Sequence, residues 1–105
     1  MSRITHGILI DPVDRVCKVI SLDGDNLLQA AYEAIGCELV EVVSLPNGDI
    51  LLVDEEGLLK SGLRSFTING QPLFGRALVL GSHEDEWCAP RTPYLDLINL
   101  VSFTP

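Results

Sequence analysis

Apolar and polar positions alternate in two segments near the start of the chain. In "RITHGILIDP" (Arg3 to Pro12), Ile4, His6, Ile8 and Ile10 share one face of an extended segment, and Leu9 on the other face predicts that this side is partly covered too. Asp11-Pro12 and Asp14 then predict a turn, since proline fixes φ and aspartate hydrogen-bonds its own local backbone. "RVCKVISL" resumes the alternation, with Val16, Lys18 and Ile20 against Cys17, Val19 and Ser21. The short separation predicts an antiparallel hairpin. In "DGDNLLQAAYEAIGCE" the period changes. Leu27, Leu28, Ala31, Ala34 and Ile35 recur at helical spacing, Asp23 or Asp25 can cap the first turn, and Gly36 stands where a left-handed C-terminal cap belongs.

"CELVEVVSL" and "DILLVDEE" read as strands joined at Pro46-Asn47-Gly48. Leu39, Glu41 and Val43 lie on one face, and Val40, Val42 and Ser44 on the other. Asn47-Gly48 between the two runs predicts a type I′ hairpin, with positive φ at both central residues. The acids of "PNGDILLVDEEGLL" then read as the polar trim of that hairpin: Asp49 in the turn, and Asp54, Glu55 and Glu56 at the strand's end before Gly57. "GLLKSGLRSFTINGQPLFG" reads as a connection with a small ordered insert anchored by Leu58, Leu59, Leu63, Phe66 and Ile68. Asn69-Gly70 and Gln71-Pro72 mark its tight turn. "RALVLG" is apolar throughout, as a central strand would be, and Gly75 and Gly81 bracket it. "SHEDEWCAPRTP" reads as a polar excursion with Trp87 folded over an apolar surface. Thr92 as cap and Pro93 at the first helical position predict a short C-terminal helix, and Val101 to Phe103 a terminal strand. The fold class predicted is α+β: a mostly antiparallel sheet of about five or six strands, one main helix on one face and a short C-terminal helix, with residues 1–105 as a single domain.

Charge narrows the function classes. The chain of 105 residues carries a formal net charge of −8. Its seven basic residues, Arg3, Arg15, Lys18, Lys60, Arg64, Arg76 and Arg91, form no stripe, so nucleic acid is not the expected partner. A basic protein partner suits the charge. The long apolar run that a membrane span needs is absent, as is a basic-then-apolar leader, and the expected location is the cytoplasm. Three widely spaced cysteines, Cys17, Cys37 and Cys88, read as reduced and mostly buried.

Candidate chemistry is thin. "DGDN" puts glycine second and fails the calcium-loop pattern. Without a CxxC pair zinc is not expected, and neither a phosphate loop nor a nucleophile elbow occurs. No metal, cofactor or catalytic residue is therefore expected. His6 reads as a structural residue of its strand. In "SHEDEWCAPR" a Cys88 thiolate activated by His83, with Asp85 or Glu86 orienting the imidazole, is a conceivable nucleophile, but nothing in the spacing makes them converge.

At "LVEVVSLPNGDILLVDEEGLLK", followed by "INGQPLFGRALVLG", the chain resembles a family of small proteins known only as a domain of unknown function, whose members are common in phage, plasmid and bacterial genomes. The likeness lies in the order of turns and strands. The family's Asn-bearing segment after the lysine is replaced here by "SGLRSFTING", and no site residue carries over. The resemblance implies an accessory role in a mobile element. The leading functional expectation is a non-enzymatic binding or adaptor protein with an acidic surface of Asp49, Asp54, Glu55, Glu56, Glu84, Asp85 and Glu86. The alternative is a small-ligand, nucleotide-like binder with a pocket at a subunit interface of a homo-oligomer, using Lys60, Arg64 and Arg76.

Overall fold

A computed structural model of the chain describes residues 3–57, 60, 63–84 and 86–103. Leu58, Leu59 and Asp85 lie outside them. The elements run β1 (Ile4–Asp11), β2 (Val16–Asp23), α1 (Leu27–Ile35), β3 (Val40–Ser44), β4 (Ile50–Asp54), β5 (Ser65–Ile68), β6 (Gln71–Phe74), β7 (Ala77–His83), β8 (Glu86–Cys88), α2 (Tyr94–Leu100) and β9 (Val101–Phe103). The main sheet has the order β2-β1-β7-β4-β3, with β8 paired to the far end of β7; a second sheet has the order β6-β5-β9. Every pairing is antiparallel.

The α+β class stands, but the single sheet with one covered face does not. Helix α1 covers one face of the main sheet, where Leu22, Ala31, Ile35, Ile50, Leu52, Leu78 and Leu80 pack together. The second sheet and α2 cover the other face through Phe66, Ile68 and Leu97 against Ile8, Ile10, Leu51, Val53, Ala77 and Val79. Strand β4 shows why both layers are needed. Ile50 and Leu52 point to the α1 side, Leu51 and Val53 to the other, and all four are buried.

Three strands end in aspartate, and each carboxylate accepts the amide two residues on: Asp11 from Val13 at 3.0 Å, Asp23 from Asp25 at 3.0 Å and Asp54 from Glu56 at 2.9 Å. This turns the chain out of the sheet with its amides satisfied. It also corrects the expected helix cap. Asp23 is spent on this turn, Asp25 accepts the Arg3 amide at 3.1 Å, and Asn26 stands at the cap without a side-chain bond. The predicted Gly36 cap is present, its left-handed amide donating to the Tyr32 carbonyl at 2.8 Å. Leu28, expected on the apolar face, is exposed.

Three further expectations change. Strand β7 runs through Gly81 to His83, and "EWC" pairs back onto it as β8. Gly81 is required there, since a Cβ would lie 2.4 Å from the Ala89 carbonyl and 3.0 Å from Cys88 Sγ. Trp87 packs on an apolar surface, as predicted, and that surface is the α1 side of the main sheet. Thr92 does not cap α2, which begins after Pro93. The terminal strand at Val101 to Phe103 forms β9.

Candidate functional site

The acids singled out from the sequence do not form one surface. Asp49 is fully buried. Its Oδ2 accepts the Thr92 hydroxyl at 2.6 Å and the Thr92 amide at 2.8 Å, and both oxygens accept the Arg91 amide at 3.0 Å. Asn47 Nδ2 reaches Oδ2 at 3.5 Å and also donates to Thr92 Oγ1. Burial alone raises the Asp49 pKa, but the hydrogen bonds from the Thr92 hydroxyl, the two amides and Asn47 outweigh it and hold the carboxyl below its ordinary value. Asp49 is thus an ionised clamp between the β3–β4 connection and the segment entering α2, and it contributes nothing to a surface.

Glu84 and Glu86 sit at the exposed tip of the β7–β8 hairpin. Glu55 and Glu56 follow β4, whose Val53 pairs with Ala77 at the opposite end of β7. The two groups are therefore about 20 Å apart along the sheet. Asp85 lies outside the described residues.

The β4 end gathers acids that the sequence does not single out. A cleft of about 590 Å³ on the α1 side is lined by Glu33, Glu38 and Glu56 with Lys60. A second, of about 160 Å³ on the other side, is lined by Glu41, Asp54 and Glu55 with Pro72, Leu73 and Phe74. Glu33, Glu38, Glu41, Glu55 and Glu56 are all exposed, and none of them has a cationic partner within ion-pair distance among the described residues. They come from α1, the segment before β3, β3 itself and the end of β4. Only folding brings them to both faces of one sheet edge.

Lys60, Arg64 and Arg76 also converge, on a cleft of about 240 Å³ with Val13, Ile35 and Leu63. Two of these cations are already engaged. Lys60 Nζ lies 2.6 Å from Asp54 Oδ2, and this hydrogen bond raises the lysine pKa. Arg76 Nε lies 3.4 Å from Oδ2 of the buried Asp11. Arg64 is exposed and has no ion pair among the described residues.

His83 and Cys88 do not meet. The register sets His83 opposite Glu86 and Cys88 opposite Gly81, so the two are diagonal neighbours, and no hydrogen bond joins them among the described residues. The imidazole is exposed, and its Nε2 lies 3.9 Å from Glu84 Oε1. Burial raises the pKa of Cys17 and Cys37, and all three thiols are free. Among the described residues no group of His, Cys, Asp and Glu is arranged to hold a metal, and no helix is long and apolar enough to cross a membrane.

The fold and its clusters therefore define a small α+β protein with an acidic sheet end. Residues 4–97 match the family described as "Domain of unknown function (DUF3846)", and the chain belongs to that family. It is also 27% identical over 75 residues to the uncharacterized protein y4iR of Sinorhizobium fredii (strain NBRC 101917 / NGR234); the match covers 69% of this chain and 46% of that protein. The chain thus spans about half the length of the curated relative it matches. No solved structure matches it.

Proposed function

We propose that this chain is a non-enzymatic binding domain whose acidic end docks a basic protein partner. The observation that carries the reading is the gathering of five exposed glutamates, Glu33, Glu38, Glu41, Glu55 and Glu56, around one end of the main sheet, none of them in an ion pair among the described residues. On a chain of net charge −8 this is a concentrated field, and such fields steer oppositely charged partners into encounter. Cytoplasmic location suits the three free thiols. An accessory role in a mobile element belongs to the same reading and rests only on where members of the family occur.

The test is capture from lysate on immobilised protein, with a rising salt wash and a Glu38→Lys/Glu41→Lys/Glu55→Lys variant alongside. The expected result is a protein retained at low salt, released by about 0.5 M salt and absent from the variant, because exposed charges are screened over about 8 Å at physiological ionic strength. If wild type and variant retain the same proteins, the acidic end is not the docking site.

The convergence of Lys60, Arg64 and Arg76 on one cleft favours a second reading, a site for a small anionic ligand such as a nucleotide. It ranks below the first on charge: Asp54 and Asp11 occupy two of the three cations, leaving Arg64 to act almost alone. A thermal-shift panel of nucleotides decides it. A bound nucleotide raises the melting temperature by mass action, and a flat panel removes the reading.

A further inference from the structure

Among the described residues β2 and β3 are the two ends of the main sheet's strand order, and they differ as edges. The backbone bonds at the ends of each strand reveal which residues face outward. The Gly24 amide donates to the Arg3 carbonyl at 2.8 Å, so even-numbered residues of β2 bond β1 and Cys17, Val19, Ser21 and Asp23 turn their backbone groups outward. Two of these are occupied. Tyr94 Oη donates to the Cys17 carbonyl at 2.5 Å, and the Asn26 amide to the Asp23 carbonyl at 3.1 Å. On β3 the Leu45 amide donates to Asp49 at 2.9 Å, and the Glu55 amide to Leu39 at 3.1 Å. Odd-numbered residues therefore bond β4, and Val40, Val42 and Ser44 turn their amides and carbonyls outward. Among the described residues no side chain or terminus caps them. An uncapped edge of this kind is a template for a further strand.

The side chains along that edge specify what the strand would be. Val42 is half exposed on the α1 side, and Glu38 lines the α1-side cleft. Glu41 points to the other face, where Glu55 stands diagonal to it. A second copy of β3 is disfavoured, since antiparallel pairing about Val42 would bring Glu41 of each copy diagonal to the other. We infer that β3 accepts an extended basic segment of a partner as an added antiparallel strand, with its apolar residues opposite Val40, Val42 and Ser44 and its basic residues opposite Glu41 and flanking it. This rests on the acidic-end reading and adds the mode of binding. In an antiparallel ladder the residues opposite Val40, Val42 and Ser44 exchange backbone bonds with them, so the apolar residues of the partner carry the ladder.

The probe is a blocked heptapeptide, Lys-Val-Lys-Val-Lys-Val-Lys, measured by fluorescence titration against the intact chain at low salt. N-methylation of its three valines should weaken binding at least tenfold. N-methylation of its lysines, with the same charge, should change it less than twofold. Val42→Pro removes only an outward amide, so the β3–β4 ladder remains, and it should also cost at least tenfold; the methylated peptides probe the same ladder without altering the protein. Amide exchange at Val40, Val42 and Ser44 should slow in the complex. If both methylated peptides bind like the parent while the triple Glu→Lys variant does not, strand addition is overturned and the acidic-end reading survives. If the parent peptide does not bind, the inference fails, and capture from lysate judges the broader reading separately.

Discussion

Two Asn-Gly pairs link strands in this chain, and they build different turns. At Asn69-Gly70, between β5 and β6, φ is positive at both residues, 50° and 80°, and Ile68 pairs with Gln71 across a two-residue loop. This is the type I′ turn the dipeptide predicts. At Asn47-Gly48 only Gly48, with φ 93°, is left-handed. The loop is Pro46–Gly48, closed by the Leu45 amide on the Asp49 carbonyl and the Gly48 amide on the Leu45 carbonyl at 3.1 Å. That is a three-residue turn ending in a left-handed glycine. The difference lies in what the asparagine does. Asn69 is exposed and has no side-chain hydrogen bond among the described residues. Asn47 accepts the Asp49 amide at 3.1 Å on Oδ1 and donates to Asp49 and Thr92 from Nδ2. One turn follows local propensity; the other is held by a tertiary contact that propensity does not contain.

The largest way to break this contrast is Asp49→Ala. It strands the Arg91 and Thr92 amides and the Thr92 hydroxyl beside the sheet. Each unsatisfied group costs about 1–3 kcal/mol before water relieves part of it, so a net loss of about 3 kcal/mol is expected. It should appear as a lower urea midpoint with an unchanged slope. Acid should weaken the same clamp. The folded carboxyl lies below its ordinary pKa, so its stabilisation is complete above about pH 4 and is lost as pH falls through the lowered folded value. The gap between wild type and Asp49→Ala should be constant from about pH 5 to 8 and narrow below about pH 4; a gap that narrows instead near neutrality would show that another group controls the clamp.

How far the sequence can be read follows the same division. Alternation, short continuous apolar runs and helical spacing locate β1 to β4, α1 and β7, because each of these patterns is visible within a few residues. The Gly36 cap is local chemistry and is legible for that reason. The second sheet is only half legible: Asn69-Gly70 marks the tight turn between "SFTI" and "QPLF", but nothing within them says that they pair with Val101–Phe103 rather than join the main sheet. The candidate site divides likewise. Glu55 and Glu56 stand out in the sequence because they are adjacent. Glu33, Glu38 and Glu41 do not, because each stands alone until α1 and β3 pack beside β4. Asp49 belongs to the hairpin, as its place after Asn-Gly predicts, but not to the acidic surface expected of it. Its partners, Arg91 and Thr92, lie more than forty positions away.

Asn47→Gly tests the contribution of the asparagine while keeping the backbone free to adopt either turn. It removes the acceptor for the Asp49 amide and the donor to Asp49 and Thr92, and leaves the strongest bonds of the clamp in place. A loss of about 1–2 kcal/mol is expected, roughly half of the Asp49→Ala effect. Because both residues act in one network, the double variant should lose less than the sum of the two singles. Additive losses would mean that Asn47 acts on the turn alone.

Asn69→Gly is the smallest perturbation and makes the sharpest comparison with Asn47→Gly, because the substitution and the dipeptide context are the same. Glycine adopts φ near 50° without steric cost, and no side-chain hydrogen bond of Asn69 is given up. The backbone amide of residue 69, which donates to the Leu100 carbonyl at 3.4 Å, survives the change. What remains is the added freedom of glycine in the unfolded chain, about a few tenths of a kcal/mol. The urea midpoint should therefore move by less than one third of the shift seen for Asn47→Gly. Equal shifts at the two sites would mean that the clamp adds nothing to the first turn, and that the contrast between a local and a tertiary asparagine has no energetic content.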